Sequence, residues 1–143
     1  MKIGILLSGC GVYDGSEIQE AVLAMLAVKE AGHDYMCISV DAKQHHVINH
    51  TNGEEMEEER NMLIESARIA RGDIREIQTV NPADIDAVIM PGGFGAAKNF
   101  STWAFNGPDS EILPQVKLFL VNIFSETSAM FDTANLNTVL PSW

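Results

Sequence analysis

Cysteine is scarce: Cys10 and Cys37 are the only two in 143 residues. That count excludes a disulfide framework and predicts a reducing, cytoplasmic setting. Cations are scarce too, with 9 Lys and Arg against 20 Asp and Glu and a formal net charge of −11. Such a surface repels phosphate backbones and anionic lipids, so neither nucleic acid nor membrane is an expected partner. No apolar run approaches the ~20 residues that a membrane span needs. Residues 1–7 reach Ser8-Gly9 too soon for a signal peptide and read as a first strand. Internal repeats and low-complexity stretches are absent.

What is present is ordinary globular composition, 46% hydrophobic and 20% charged. The continuous apolar run Lys2 to Leu7 has the pattern of a buried parallel strand. Ser16 with Gln19 suggests a capping box opening a helix, whose face would be Ile18, Val22, Met25 and Leu26, with Gly32 as its stop. Asp34 to Val40 reads as a second strand and Lys43 to Gly53 as a polar loop. Glu54 to Arg71 is expected to be helical, burying Met56, Leu63, Ala67 and Ala70, with Gly72 ending it. Ile74 to Val80 reads as a short extended segment and Asn81 to Asp84 as a turn or helical cap. Ala87 to Met90 is a further buried strand, and Asp109 to Phe124 a helix with Pro114 in its first turn. Strands alternating with helices predict α/β architecture with a mainly parallel sheet.

In such sheets ligands bind beyond the carboxyl ends of the strands. Two glycine-rich loops leave such ends, residues 8–15 and Pro91-Gly92-Gly93-Phe94-Gly95. Backbone N–H groups in such loops hold phosphates or oxyanions. A dinucleotide site is a weak reading: Gly9 and Gly11 supply two fingerprint glycines and Asp41 ends the second strand, but Asp14 stands where the third glycine belongs. His45, His46 and His50 lack the partners that a structural zinc site requires, so no metal is expected. Cys10 lies in the first glycine loop near a helix start, where a thiolate would be favoured, but it reads as a partly buried structural thiol. Cys37 reads as core, Ser8 and Tyr13 as pocket lining, and Trp103 and Phe105 as cover for a pocket, a subunit interface or the core.

The segments ILLSGCGVYDGSEIQEAV (5–22), HVINHTNGEEMEEERNMLIESARIARGDI (46–74) and IMPGGFGAAKNFS (89–101) resemble signature segments of the ElbB-like glyoxalase family. That family is of the PfpI type, within the class I glutamine amidotransferase-like superfamily, and the likeness covers roughly residues 1–124. It implies a flavodoxin-like three-layer α/β sandwich and conversion of glyoxal to glycolate without a cofactor; the family has also been tied to isoprenoid biosynthesis. A small carbonyl compound such as glyoxal is the implied substrate, and a homodimer a possible assembly. An elbow cysteine attacks the carbonyl in that family, beside an acid from the first helix. Here the implied acid is Glu20, with Glu17 as the alternative; Gly92 and Gly93 are the implied oxyanion loop, with Cys10 beside the substrate. Helix-start acids are also placed by the helix dipole alone, which is the competing reading for Glu17 and Glu20.

The likeness stops near Phe124. The family continues with a Gly-Lys-Pro turn, a strand and the elbow cysteine, whereas residues 125–143 hold neither cysteine nor histidine. The expectation is therefore an N-terminal part of the domain over 1–124, a divergent tail of frameshift character over 125–143, and a missing C-terminal part. Such a chain is expected to be inactive as written. A non-catalytic small-molecule-binding or regulatory module of the same fold is the alternative. A sheet without its later strands exposes an edge, and a folding margin of ~5–15 kcal/mol is easily lost, so instability, aggregation or stabilisation by a partner is anticipated.

Overall fold

A computed structural model describes residues 1–127. The part of the tail beyond Thr127, with the frameshift reading attached to it, lies outside the described residues. The chain runs β1 (Lys2–Leu6), α1 (Ile18–Glu30), β2 (Asp34–Ser39), α2 (Met62–Ala70), β3 (Ile74–Glu76), β4 (Ala87–Ile89), α3 (Gly95–Lys98), α4 (Trp103–Asn106) and α5 (Pro114–Thr127). The strands form one sheet in the order β3-β2-β1-β4, every pair parallel. Ile3 sits opposite Tyr35 on one side and Ala87 on the other, so β1 is central.

Strand alternation divides the core. Ile3, Ile5 and Leu7 join Ala21, Met25 and Val28 of α1 and Ile69 of α2 on one face. Leu6 and Ile38 join Val116, Phe119 and Ile123 of α5 on the other, with Met62 and Phe100. Helices on both faces of a parallel sheet make the three-layer α/β fold that the alternation of elements predicts. Burying β1 on both faces explains its unbroken apolar run. Each fully buried aliphatic chain there contributes about 1.5–3 kcal/mol.

Local details depart from expectation. Helix α1 is capped by Glu17, whose carboxylate accepts from the Glu20 N–H at 2.7 Å, and not by Ser16. Ser16 is buried, and its hydroxyl instead accepts from the Ser8 N–H at 2.9 Å. The buried face of α1 is Ala21, Met25 and Val28, while Ile18, Val22 and Leu26 are 43%, 47% and 50% exposed. Small Ala21 lets the helix lie close to the sheet and turns the larger side chains outward.

Helix α2 begins at Met62, eight residues later than the sequence suggests, with Asn61 as its cap. The preceding acidic run is spent crossing back over the fold: Met56 N–H donates to Val47 O and Gln44 N–H to Arg60 O, both at 2.8 Å. Five glutamates in six positions, Glu54 to Glu59, also repel one another in a helix. Consequently α2 buries Met62, Glu65, Ser66 and Ile69, while Leu63, Ala67 and Ala70 are half-buried. Its C-cap is Arg71 in the left-handed conformation, one residue ahead of Gly72. Helix α5 opens on Pro114 itself, five residues after Asp109, as a proline without an N–H allows.

Candidate functional site

The two glycine loops meet at the carboxyl end of β1 and β4. Glu17 N–H donates to Gly92 O at 2.6 Å, Phe94 N–H to Val12 O at 2.8 Å and Gly95 N–H to Gly15 O at 2.9 Å. Side chains complete the seam: Asn99 Nδ2 donates to the carbonyls of Ser8 and Asp14, both at 2.8 Å, and Lys98 Nζ donates to Tyr13 O at 2.8 Å. The approach is close enough that a methyl group on Gly93 would run into backbone of residues 15–17.

Of the residues singled out from sequence, Glu17, Glu20, Gly92 and Gly93 come together. Gly92 N–H donates to Glu20 Oε2 at 2.6 Å, across 72 residues of chain. Glu20 is exposed, so this is a charge-assisted bond at the protein surface. Glu17 is half-buried and serves as the cap of α1, a structural use of the carboxylate. The Gly93 N–H has no acceptor among the described residues. An acid and an amide without a protein acceptor therefore lie side by side at this turn, an arrangement suited to a polarised carbonyl or an anion.

The thiols lie elsewhere in character. Cys10 is half-buried, and burial pushes its pKa up, reinforced by the charge of Glu65 and of Asp14 against the opposing Arg68 and Arg60. Cys37 is buried, donates to Met25 Sδ at 3.4 Å, and is pushed up to about 11 by burial first and Asp73 second. Neither is activated as a thiolate nucleophile would be. At Cys10, burial and the two carboxylates push the thiol up, against the thiolate that a nearby helix start would favour.

Ser66, Ser39 and Asn99 were not singled out beforehand. Ser66 Oγ accepts from the Gly9 N–H at 2.9 Å and pairs with Ser39 Oγ at 3.1 Å, which in turn donates to Leu7 O at 2.7 Å. Asp14 is 3% exposed at its side chain and accepts from the Ile48 N–H at 2.7 Å. Placed there, Asp14 ties the 44–50 segment to the first loop, and the dinucleotide reading fails at that position. Asp41 Oδ1 accepts from Asn61 Nδ2 at 2.6 Å. His45 and His46 pack on Phe105, at 4.1 Å and 5.5 Å between ring centroids, while Trp103 is exposed. Among the described residues no group of three or more His, Cys, Asp or Glu side chains is placed to hold a metal ion.

No family model matches the chain. It is 47% identical over 120 residues to the human glutamine amidotransferase-like class 1 domain-containing protein 3, mitochondrial, covering 83% of this chain and 45% of that protein. Identity to the rat ES1 protein homolog, mitochondrial, is 48% over 120 residues, with the same coverage of 83% and 45%. The chain thus spans about half the length of the curated relatives it matches. A crystal structure of an isoprenoid biosynthesis protein with amidotransferase-like domain from Ehrlichia chaffeensis superposes with a TM-score of 0.83 at 38% identity, over 89% of this chain and 60% of that one. The expected cytoplasmic setting is corrected by these findings, since both curated relatives are named as mitochondrial proteins. A low cysteine count fits any reducing compartment, which is why it misled. Relatives and structural neighbour together support the class I glutamine amidotransferase-like superfamily for this chain, on a flavodoxin-like α/β fold, without singling out ElbB-like glyoxalases within it.

Proposed function

We propose that this chain carries the acid-and-amide side of a small-carbonyl site of the ElbB-like glyoxalase kind, and that it lacks the thiol needed for turnover of glyoxal to glycolate. The observation that carries the reading is the bond from Gly92 N–H to Glu20 Oε2, with the Gly93 N–H free beside it. Glu20 serves as the proton-transferring acid and the Gly93 amide as an oxyanion donor. Neither Cys10 nor Cys37 is offered as the nucleophile, since burial pushes both thiols up, away from the thiolate form. Glyoxal is the carbonyl substrate of this reading, and no cofactor enters it. The mitochondrion is the compartment that the names of the relatives suggest.

A second reading, a non-catalytic binding module of the same fold, draws on one observation: Glu20 already occupies the Gly92 amide, so of this turn's two glycines Gly93 is the one left with an N–H for a ligand. One experiment separates the two. The chain is incubated with glyoxal and glycolate is quantified, while glycolate itself is titrated against the amide spectrum. The expected outcome is no glycolate above the uncatalysed rate, with a saturable shift at Gly93 that is altered in Glu20→Gln. Glycolate formation would refute the missing-thiol reading. An unresponsive Gly93 amide would refute the carbonyl site in both of its forms.

A further inference from the structure

Asp14 presents a physical problem that the carbonyl site does not absorb. Its side chain is 3% exposed, yet its Oδ1 has no hydrogen-bond donor, while Oδ2 accepts from the Ile48 N–H. A buried carboxylate oxygen without a donor costs free energy on the scale of a lost hydrogen bond or more. The nearest cationic candidate is His50 on the 47–55 loop, whose Nε2 lies 3.8 Å from that oxygen. His50 is already committed elsewhere. Its Nδ1 lies 2.9 Å from Ile48 O and its Nε2 accepts from the Tyr13 N–H at 3.2 Å. The first contact requires a proton on Nδ1, and the second requires Nε2 to be bare.

We propose that His50 is a proton-operated either/or contact between the 47–55 loop and the first glycine loop. In the neutral ring, Nε2 holds the Tyr13 amide and the Asp14 oxygen goes without a donor. In the charged ring, Nε2–H donates to Asp14 Oδ1 and the Tyr13 amide is released. One nitrogen cannot serve both partners, so the two arrangements exclude each other. The ring need move only about 1 Å to bring 3.8 Å to a charge-assisted distance.

The surroundings fit the exchange. The Tyr13 ring stacks on His50 with centroids 4.8 Å apart, which guides the ring along its own plane. From the start of α2, Arg60 lies in the field of Asp14, and Cys10 of the glycine loop feels the same carboxylate. On the loop itself, His46 Nε2 faces Glu55 at 3.8 Å and Glu54 Oε2 accepts from Asn52 Nδ2, so neither acid competes for His50. From α3, Lys98 Nζ holds Tyr13 O, so the Tyr13 backbone is held at both its N–H and its carbonyl in the neutral state and at the carbonyl in the charged state. Val12, next along, accepts the Phe94 N–H one residue after Gly93. Protonation at His50 therefore loosens the loop that the Gly92–Gly93 turn is stitched to. The inference does not depend on any carbonyl chemistry there.

The test is amide exchange and nitrogen NMR on the full chain between pH 8 and 5.5. At pH 8, long-range proton–nitrogen spectra should show His50 as the Nδ1–H tautomer. Protection of the Tyr13 amide, corrected for its intrinsic rate, should fall about fivefold as the pH drops, the loss of one net hydrogen bond. Protection at Ile5 in the centre of the sheet should stay constant. In H50Q the Tyr13 curve should become flat, and in D14N the fall should be smaller, because the charged ring loses its carboxylate partner. An Nε2–H tautomer at pH 8, a flat wild-type curve, or a curve unchanged in H50Q would overturn the proposal. The tautomer is read on the wild-type chain and decides the matter even if either variant fails to fold.

Discussion

Gly93→Ala gives the sharpest stability test of how the two loops are joined. Gly93 has φ +105°, and a Cβ there would collide with Gly15 O, lie 2.6 Å from Glu17 N and 3.0 Å from Ser16 C. All three are backbone atoms, so no rotamer change can open space. Two costs add: forcing an L-residue into the left-handed region, about 1–2 kcal/mol, and overpacking against immobile neighbours, about 1–3 kcal/mol. Together they amount to about 2–5 kcal/mol, a large share of a domain's ~5–15 kcal/mol. Gly53→Ala isolates the first cost, because Gly53 has φ +80° with nothing within 4 Å of the added methyl. In urea titrations followed by far-UV circular dichroism, with m of about 2 kcal/mol/M, the Gly93→Ala midpoint should fall by about 1–2.5 M. The Gly53→Ala midpoint should fall by less than half as much. If the two variants lose the same stability, the close seam between residues 15–17 and 92–95 is not there, and the site built on it goes with it.

Two further measurements probe the interior. Ser66→Ala removes the acceptor of the buried Gly9 N–H and a partner of Ser39, and should cost about 1–3 kcal/mol in the same titration; a loss below 0.5 kcal/mol would mean that Gly9 finds another acceptor. Stability should also fall between pH 9 and about 11 through Cys37: the folded thiol holds its proton up to about 11, whereas the unfolded one releases it near 9.0, so over that window the unfolded state binds fewer protons. The expected loss is about 2–3 kcal/mol, at about 1.4 kcal/mol per pH unit, and Cys37→Ala should flatten that part of the curve.

How much of this was legible in the sequence depends on whether the deciding contact is local. The strands were readable because burial on both faces leaves β1 as an unbroken apolar run, and β2 and β4 as shorter ones ending where turn residues begin. Helix boundaries were read less well. The 54–61 segment carries helix formers, yet it pairs with residues 42–47 in an extended course set by Met56 N–H to Val47 O and Met62 N–H to Ala42 O. No periodicity within the segment reports a bond to a different segment. The face of α1 was read correctly at Met25 and misread elsewhere for a related reason: Ile18, Val22 and Leu26 repeat at helical spacing, but the sheet accepts the smaller Ala21 together with Met25 and Val28.

The site divides along the same line. Glu20 and the Gly92–Gly93 turn were marked by a resemblance that spans both loops, and the bond between them joins residues 72 apart. Ser66 and Asn99 were passed over because each looks ordinary in its own stretch, a helix serine and an asparagine after a short helix, while Asp14 was noted only as standing where a third fingerprint glycine belongs. A signal did exist in Ser66, a polar residue midway along the apolar face of MLIESARIA, where a hydroxyl must find a partner to be buried at no cost. The same reasoning applies to Asp14 with more force, since a carboxylate is dearer to bury than a hydroxyl. A glycine loop that keeps such a group at its centre has its shape decided by what reaches that carboxylate. Among the described residues it is reached by the Ile48 N–H at 2.7 Å and faced by His50 Nε2 at 3.8 Å, so the geometry of the first loop is tied to the 47–55 loop packed over it.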